Sequence, residues 1–400
     1  MFIAPREETM NSTLSKLKIA LCSVIMAAGT ASGADEYKLG YITDLSGPLA
    51  GSYTPVWEGF ELYIDELNKA GGVNGKNIEV VVADDGLRAD RSVAAAKRQI
   101  ELDQVIGIFG LSLSSTHAPT FAETRKVGVP VVTSFSGILD ALPPAQPYSY
   151  STGVVFEVAG EVIGALTGEI VGSGKVVGVS IDSVGGRAAL RHNELAAKKM
   201  GYEWDQVLFP VRTADFTPIA QAIVAMAPDV VVGHYGAEQN LGVVSALRQV
   251  GYTGPYVIAS YGASEDTVRQ AAKQSDNNNI YMMSRFAPVT ETADGMPKFL
   301  EAAKTAGLDS PNSMHVTGWV LGMLVEQALV SCGSDCGRED LDKALSQIKV
   351  DTQGLTGGSI EFSANDHCGP TYWRLYKWDG ESLAGVSDWY RKDGLEFSGQ

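Results

Sequence analysis

The strongest constraint on this 400-residue chain is an alternation of short β-rich runs with helical patterns that runs its course once and then begins again. Tyr37–Ile42 reads as a strand, and Trp57, Phe60, Leu62, Ile64 and Leu67 then share one helical face that ends at Ala70-Gly71-Gly72. Strands follow at Ile78–Ala83, Val105–Phe109 and Val129–Thr133, separated by helices at Arg91–Leu102 and from about Ser115. The series restarts with a strand at Lys175–Ile181, a helix at Arg187–Met200 and a strand at Trp204–Phe209. Helix, strand, helix and strand then follow at Ile219–Met226, Val230–Gly233, Leu241–Val250 and Tyr256–Ala259. Strands alternating with helices specify βαβ units and a parallel sheet, so a series that begins twice specifies two doubly wound domains. The length agrees, since a chain this long exceeds one ordinary core.

Tyr148–Thr152 and Ile280–Pro288 are the expected crossings between the two domains. Late helices at Pro297–Ala306 and Val316–Ser331, and β-rich pieces at Ser359–Phe362 and Tyr372–Tyr376, return to complete each domain. The expected bodies are residues 35–150 with 288–358, and residues 151–287 with 359–400. Ligands of open α/β sheets bind beyond the carboxyl ends of the strands. Two such sheets facing each other therefore place the site between them.

Charge narrows the partner. The net charge of −16 and the lack of a basic stripe argue against a nucleic-acid partner. At the N-terminus, Arg6, Lys16 and Lys18 precede an apolar run from Ile19 to Ala28 and the small residues Ala31, Ser32, Gly33 and Ala34. That layout is a cleaved secretory signal over residues 1–34, too short in its apolar part to span a bilayer. Cleavage leaves Cys332, Cys336 and Cys368, which in an oxidising compartment implies one disulfide and one free thiol. Cys332 and Cys336 flank the turn-like Gly333-Ser334-Asp335 and are the local pair, with pairing of either to Cys368 left open. These thiols with His367 lack the tight spacing of a structural zinc site, so no metal and no cofactor is expected.

An ordered set of motifs carries a resemblance. Asp44-Leu45-Ser46-Gly47-Pro48-Leu49-Ala50 is followed by Gly59 in a helix and by Leu67-Asn68-Lys69-Ala70-Gly71-Gly72-Val73-Asn74-Gly75. Asp84-Asp85 at a strand end, Pro130-Val131-Val132 and Asp215-Phe216-Thr217-Pro218 complete the set. Over nearly all of the chain beyond the signal, the sequence resembles the periplasmic leucine/isoleucine/valine-binding protein family of ABC transporters. The resemblance implies a type I periplasmic binding fold: α/β, with two doubly wound Rossmann-like lobes joined by three hinge crossings. It also implies a periplasmic monomer that closes on a small-molecule ligand and delivers it to the membrane permease of an ABC transporter.

The family's ligand residues carry over where the motifs match. Gly110-Leu111-Ser112-Leu113-Ser114-Ser115-Thr116 resembles the loop whose serine binds the ligand carboxylate, which points to Ser114 and then Ser115. Hydroxyls and free N–H groups at a helix start suit an anion. Ser134-Phe135-Ser136-Gly137 resembles the second carboxylate loop, with Gly137 where a threonine is expected and Ser136 as its substitute. Gly233-His234-Tyr235 resembles the loop that carries a cleft-facing tyrosine, Tyr235. Amino-acid binders of the family place an acid after the next strand to pair the ligand ammonium, and here Tyr261 stands at that point. A phenol does not neutralise a buried cation, so aromatic acids, amides and other small carboxylates compete with α-amino acids as the ligand. Glu238 and Glu265 are the nearby acids that could compensate, each expected on a helix surface. Tyr53 joins Tyr235 and Tyr261 near the expected cleft, where aromatic walls suit an apolar or planar ligand body. Trp57 is expected in the core, and Arg187 either clamps a second carboxylate or lies solvated at a helix start.

Enzymatic readings find no support in the motifs. The first strand leads into Asp44-Leu45-Ser46-Gly47-Pro48 rather than a dinucleotide fingerprint, and a phosphate-binding P-loop and a nucleophile elbow are both missing. Of the five histidines, His234 alone falls on an expected cleft loop. A soluble sensor of an amide or organic acid, working with a signalling protein, is the other non-catalytic reading.

Overall fold

The computed structural model describes residues 36–111, 113–135, 137–259, 264–275 and 279–396. The expected signal over residues 1–34, together with Ser112, Ser136 and Tyr261, lies outside the described residues. The first series runs β1 (Tyr37–Thr43), α1 (Ala50–Lys69), β2 (Ile78–Asp84), α2 (Ala89–Glu101), β3 (Gly107–Gly110), α3 (Ser114–Lys126), β4 (Val131–Thr133) and β5 (Ser149–Ser151). Its five strands form one sheet in the order β2-β1-β3-β4-β5, and every pairing is parallel.

The second series runs α4 (Phe156–Val171), β6 (Lys175–Ile181), α5 (Val184–Met200), β7 (Glu203–Phe209), α6 (Thr217–Ala225), β8 (Val230–His234), α7 (Ala237–Gln249), β9 (Tyr256–Ala259), α8 (Glu265–Ser275) and β10 (Ile280–Ser284). The chain then forms α9 (Met296–Thr305), α10 (Ser313–Cys332), α11 (Arg338–Leu345), β11 (Lys349–Val350), β12 (Ile360–Glu361), β13 (Thr371–Trp378), β14 (Leu383–Gly385) and β15 (Tyr390–Lys392). In the second sheet β7, β6, β8, β9 and β10 are parallel; β13 joins antiparallel beside β10, and β14 and β15 pair antiparallel with β13.

The late helices belong with the first sheet. Trp319, Leu324 and Phe299 are buried in one cluster with Phe60, Tyr63 and Phe109. α1 and α10 meet backbone to backbone there: a Cβ at Gly59 would lie 1.9 Å from the His315 carbonyl oxygen, and one at Gly318 1.9 Å from that of Val56. Only glycine permits that approach. Trp57 packs on Tyr41, with ring centroids 4.8 Å apart, so it serves this core. β12 pairs with β11 and Phe362 is buried in the same cluster. The last passage toward the second sheet therefore falls between Phe362 and β13. A separate cluster that includes Val179, Tyr235, Ile258 and Met282 fills the second sheet's core.

Three stretches of chain pass between the sheets, and one side chain ties them. Arg285, just after β10, donates from Nη2 to the Thr152 carbonyl at 2.6 Å and from Nε to Thr371 Oγ1 at 3.1 Å. Those partners stand at the exit of β5 and the entry of β13. Cys332 and Cys336 form the disulfide, and Cys368 is free. Burial pushes the Cys368 thiol up to about 12, which disfavours its thiolate.

Candidate functional site

The loop between β1 and α1, the strongest motif in the sequence, is an architectural device. Asp44 is fully buried and accepts from the backbone N–H of Gly47 at 2.5 Å and of Leu49 at 3.1 Å. Asp84 accepts from Leu45 N–H at 2.8 Å and Gly86 N–H at 3.0 Å. The acids thus fold the turn that sets the start of α1, and with it Tyr53, at the carboxyl edge of the sheet. Tyr53 is buried there and meets Phe135 edge to face with centroids 4.6 Å apart. Burial, then the nearby Asp44 and Asp85 carboxylates, holds its phenol far above the usual range, so it stays neutral.

A cavity of about 210 Å³ opens at this edge, bounded by Tyr53, Ser115 and Phe135 from the first series and by Ser183, His234 and Tyr235 from the second. Leu49, Leu87, Leu113, Ile181 and Val211 make most of the remaining wall apolar. Helix starts converge on it. α3 begins at Ser114 after Leu113, with no side-chain cap and no acid in its first turn. α5 begins beyond Ser183, whose Oγ accepts from Gly186 N–H at 3.0 Å, and α7 begins beyond Gly236 without a side-chain cap. Helix starts of this kind present N–H groups and a positive dipole end to an anion. Asp182 is the one acidic side chain among the described lining residues, which include no lysine or arginine, and Arg187 pairs with it at 2.5 Å. Arg187 is thus engaged at the rim. Burial pulls His234 down to about 3, so its ring is neutral.

Tyr235 is held by a directed chain of hydrogen bonds. Asn240 donates its amide N–H groups to the carbonyls of Tyr235 at 2.7 Å and Gly236 at 2.9 Å, which turns its Oδ1 toward Tyr256. The Tyr256 hydroxyl donates to that oxygen at 2.9 Å and lies 2.7 Å from the Tyr235 hydroxyl. Each hydroxyl has one hydrogen, so Tyr235 donates to Tyr256. The Tyr235 hydroxyl therefore has no hydrogen left to donate to a ligand.

The sequence-predicted residues divide between two chambers. Tyr53, Ser115, Phe135 and Tyr235 line the first, while Ser114 and Gly137 line a second cavity of about 220 Å³. Phe156 is a wall of both. Gly137 has its N–H committed to the Val154 carbonyl at 2.5 Å, and a Cβ there would lie 2.6 Å from the Val155 nitrogen. The expected threonine would not fit against this crossing. Glu238 is exposed. Glu265 is not free on a helix surface: it is half-buried and accepts from Ser313 N–H at 2.9 Å, Ser313 Oγ at 2.7 Å and Val289 N–H at 2.8 Å, which caps α10. Ser180, Ser183 and Phe156 were not singled out by the sequence; they stand where β6 ends and where α5 and α4 begin, and those positions were the available signal. Among the described residues, no group of three or more metal-ligating side chains occurs, and no helix is long and apolar enough to cross a membrane.

Two doubly wound sheets, crossings tied at one point and an apolar cleft ringed by helix starts define a class: the two-lobed α/β binding proteins of the type I periplasmic fold. The chain belongs to the periplasmic binding protein family, whose pattern matches residues 36–383. A Leu/Ile/Val-binding protein homolog 7 of Brucella suis is 25% identical over 379 residues, covering 88% of this chain and 92% of the relative. The solute-binding protein of an ABC transporter from R. palustris, solved with benzoate, superposes with a TM-score of 0.78 at 17% identity, covering 91% of this chain and 100% of that one. A branched-chain amino acid ABC transporter protein from Thermus thermophilus, solved with valine, superposes with a TM-score of 0.79 at 16% identity, covering 89% and 97%. These structures share the fold. The family and these neighbours are substrate-binding proteins of transporters, not enzymes.

Proposed function

We propose that this chain is a periplasmic solute-binding protein that captures a small carboxylate-bearing ligand between its lobes and delivers it to the membrane permease of an ABC transporter. The observation that carries the reading is the first cavity: apolar walls, no free cation among the described lining residues, and the uncapped starts of α3 and α7 at its edge. Helix-start N–H groups hold a carboxylate without a counter-charge, and the apolar walls take an aliphatic or aromatic body. Ser114 and Ser115 are the proposed carboxylate ligands, with Ser136 and Tyr261 as the proposed partners outside the described residues. Tyr53, Phe135 and Tyr235 form the walls, and Gly137 shapes the loop. The proposed lobes are residues 35–150 with 288–358 and residues 151–287 with 359–400, with Ile360–Phe362 moving with the first. Valine and benzoate in the fold's neighbours frame the two ligand classes.

A thermal-shift screen of amino acids, aromatic acids and amides tests the reading, because a ligand that binds only the folded state raises the melting temperature by mass action. Stabilisation by a carboxylate is expected, and Ser115→Ala should weaken it. A screen in which no carboxylate stabilises the protein overturns the anion site. Sequencing the N-terminus of protein recovered from the periplasm tests export and cleavage near residue 34.

A further inference from the structure

The two bodies touch at the rim of the first cavity. A Cβ at Gly236, the residue before α7, would lie 3.1 Å from Leu49 Cδ2 and 3.4 Å from Ser52 Oγ at the start of α1. The described arrangement is therefore a closed one.

Two carboxylates cross the boundary between the bodies, in opposite directions. Glu265 opens α8, whose Val268 and Ala271 are buried in the second sheet's core. Its donors belong to the other body. Ser313, the first residue of α10, gives Glu265 its N–H at 2.9 Å and its hydroxyl at 2.7 Å. Val289 gives its N–H at 2.8 Å, from a stretch whose Phe286 and Ala287 are buried in the first core. Glu291, two residues further on, reaches the other way. It pairs with Arg374 and accepts from the Tyr376 hydroxyl, both on β13 of the second sheet.

α10 does not need Glu265 in order to start. Asn312 already caps it, accepting from Met314 N–H at 3.0 Å. A second acceptor brought from another element is redundant for the helix but not for the joint. Hydrogen bonds to a carboxylate are strong, and they weaken steeply with distance and angle. Rotation about the crossings changes the separation of α8 from α10, so these bonds hold at the described angle and are lost away from it.

We propose that Glu265 is a positioning residue for binding: it clasps the start of α10, with Glu291 as the second grip, and holds the lobes at the closed angle without touching the ligand. Glu265 lines neither of the two cavities. The inference rests on the two-lobed binding reading above. Affinity is then set in part away from the pocket, because a ligand that requires the closed state binds more weakly as that state becomes less populated.

The experiment measures the lobes with no ligand added. Leu139 and Val184 are exposed and line the second cavity, one from each lobe. Spin labels at Leu139→Cys and Val184→Cys, on the full-length chain with the free Cys368 replaced by serine, report their separation by double electron–electron resonance. Glu265→Gln keeps the size of the side chain but turns an amide NH₂ toward donors. It should lower the ratio of short to long distances at least about fivefold. Ser313→Ala removes one donor from the other lobe and should move the ratio the same way by about twofold; it decides the matter if Glu265→Gln does not fold. A distance distribution that these changes leave alone overturns the proposal, and a melting temperature that falls by itself marks Glu265 as a helix cap and nothing more. Calorimetry with valine and with benzoate on the unlabelled proteins forms a separate arm. A ligand that binds wild type should bind Glu265→Gln more weakly by about the factor seen in the distances, and an unchanged affinity overturns the link to binding. If neither compound binds, the carboxylate reading loses its support while the distances still decide the clasp.

Discussion

Replacing Tyr256 with phenylalanine tests the directed chain that holds Tyr235. The hydroxyl of Tyr256 gives its hydrogen to Asn240 Oδ1 and receives one from Tyr235. Asn240 is fully buried, and its amide N–H groups are already engaged by two carbonyls, so it cannot turn to satisfy its oxygen elsewhere. Tyr256→Phe therefore leaves one buried acceptor unsatisfied and breaks a second bond. An unsatisfied buried group costs about 1–3 kcal/mol and an ordinary bond about 1 kcal/mol net, so the expected loss is about 2–3 kcal/mol. Tyr235→Phe removes a donor but leaves Tyr256 bonded to Asn240, and should cost about 1 kcal/mol or less. Urea unfolding of the three proteins, with matching denaturant slopes, gives the comparison. The ordering is the critical result: if Tyr235→Phe costs as much as Tyr256→Phe, the direction assigned to the chain is wrong. A second consequence concerns binding. Tyr256→Phe frees the Tyr235 hydrogen to turn toward the cavity, so affinity for a carboxylate ligand should rise even as stability falls.

Other perturbations probe other parts of the molecule. Asp85 is raised to about 6, chiefly by burial, opposed by Leu87 N–H and reinforced by Asp44 and Asp84. A folded-state value above the unfolded one of about 3.9 means that stability falls as pH rises from about 4 to about 6, by up to about 3 kcal/mol. Asp85→Asn should flatten that slope and raise the melting temperature at pH 7; an unchanged pH profile of thermal unfolding would remove Asp85 as the cause. Gly137→Ala should cost about 1–3 kcal/mol in chemical denaturation, because its Cβ would meet the Val155 nitrogen at 2.6 Å. Arg285→Met removes charged hydrogen bonds to Thr152 and Thr371 and should destabilise by about 2–3 kcal/mol in the same assay; a neutral result would mean that the crossings are held by other contacts.

The sheets were legible because their strands are short, β-branched and bounded by glycine. Tyr256–Ala259 is a strand with the expected bounds, and Lys175–Ile181 is the same seven residues. α4 was missed for an identifiable reason. Phe156–Val171 is apolar almost all round and interrupted by Gly160, Gly164 and Gly168, so it shows little amphipathic period. That gap hid Phe156 as well. The roles of Asp44 and Asp84 were visible as motifs, but the backbone groups they hold could be read only from the folded loop. Glu265 was misread because its partners, Ser313 and Val289, are distant in sequence and near in space.

The junction at Arg285 separates two properties that sequence change would otherwise couple. Thr152, Arg285 and Thr371 line neither of the two chambers. Chamber walls can therefore be rebuilt for a new cargo while the pivot of the lobes stays as it was. In the proposed transport role, a permease that recognises the angle between the lobes would then receive the same signal whatever the pocket had been reshaped to carry.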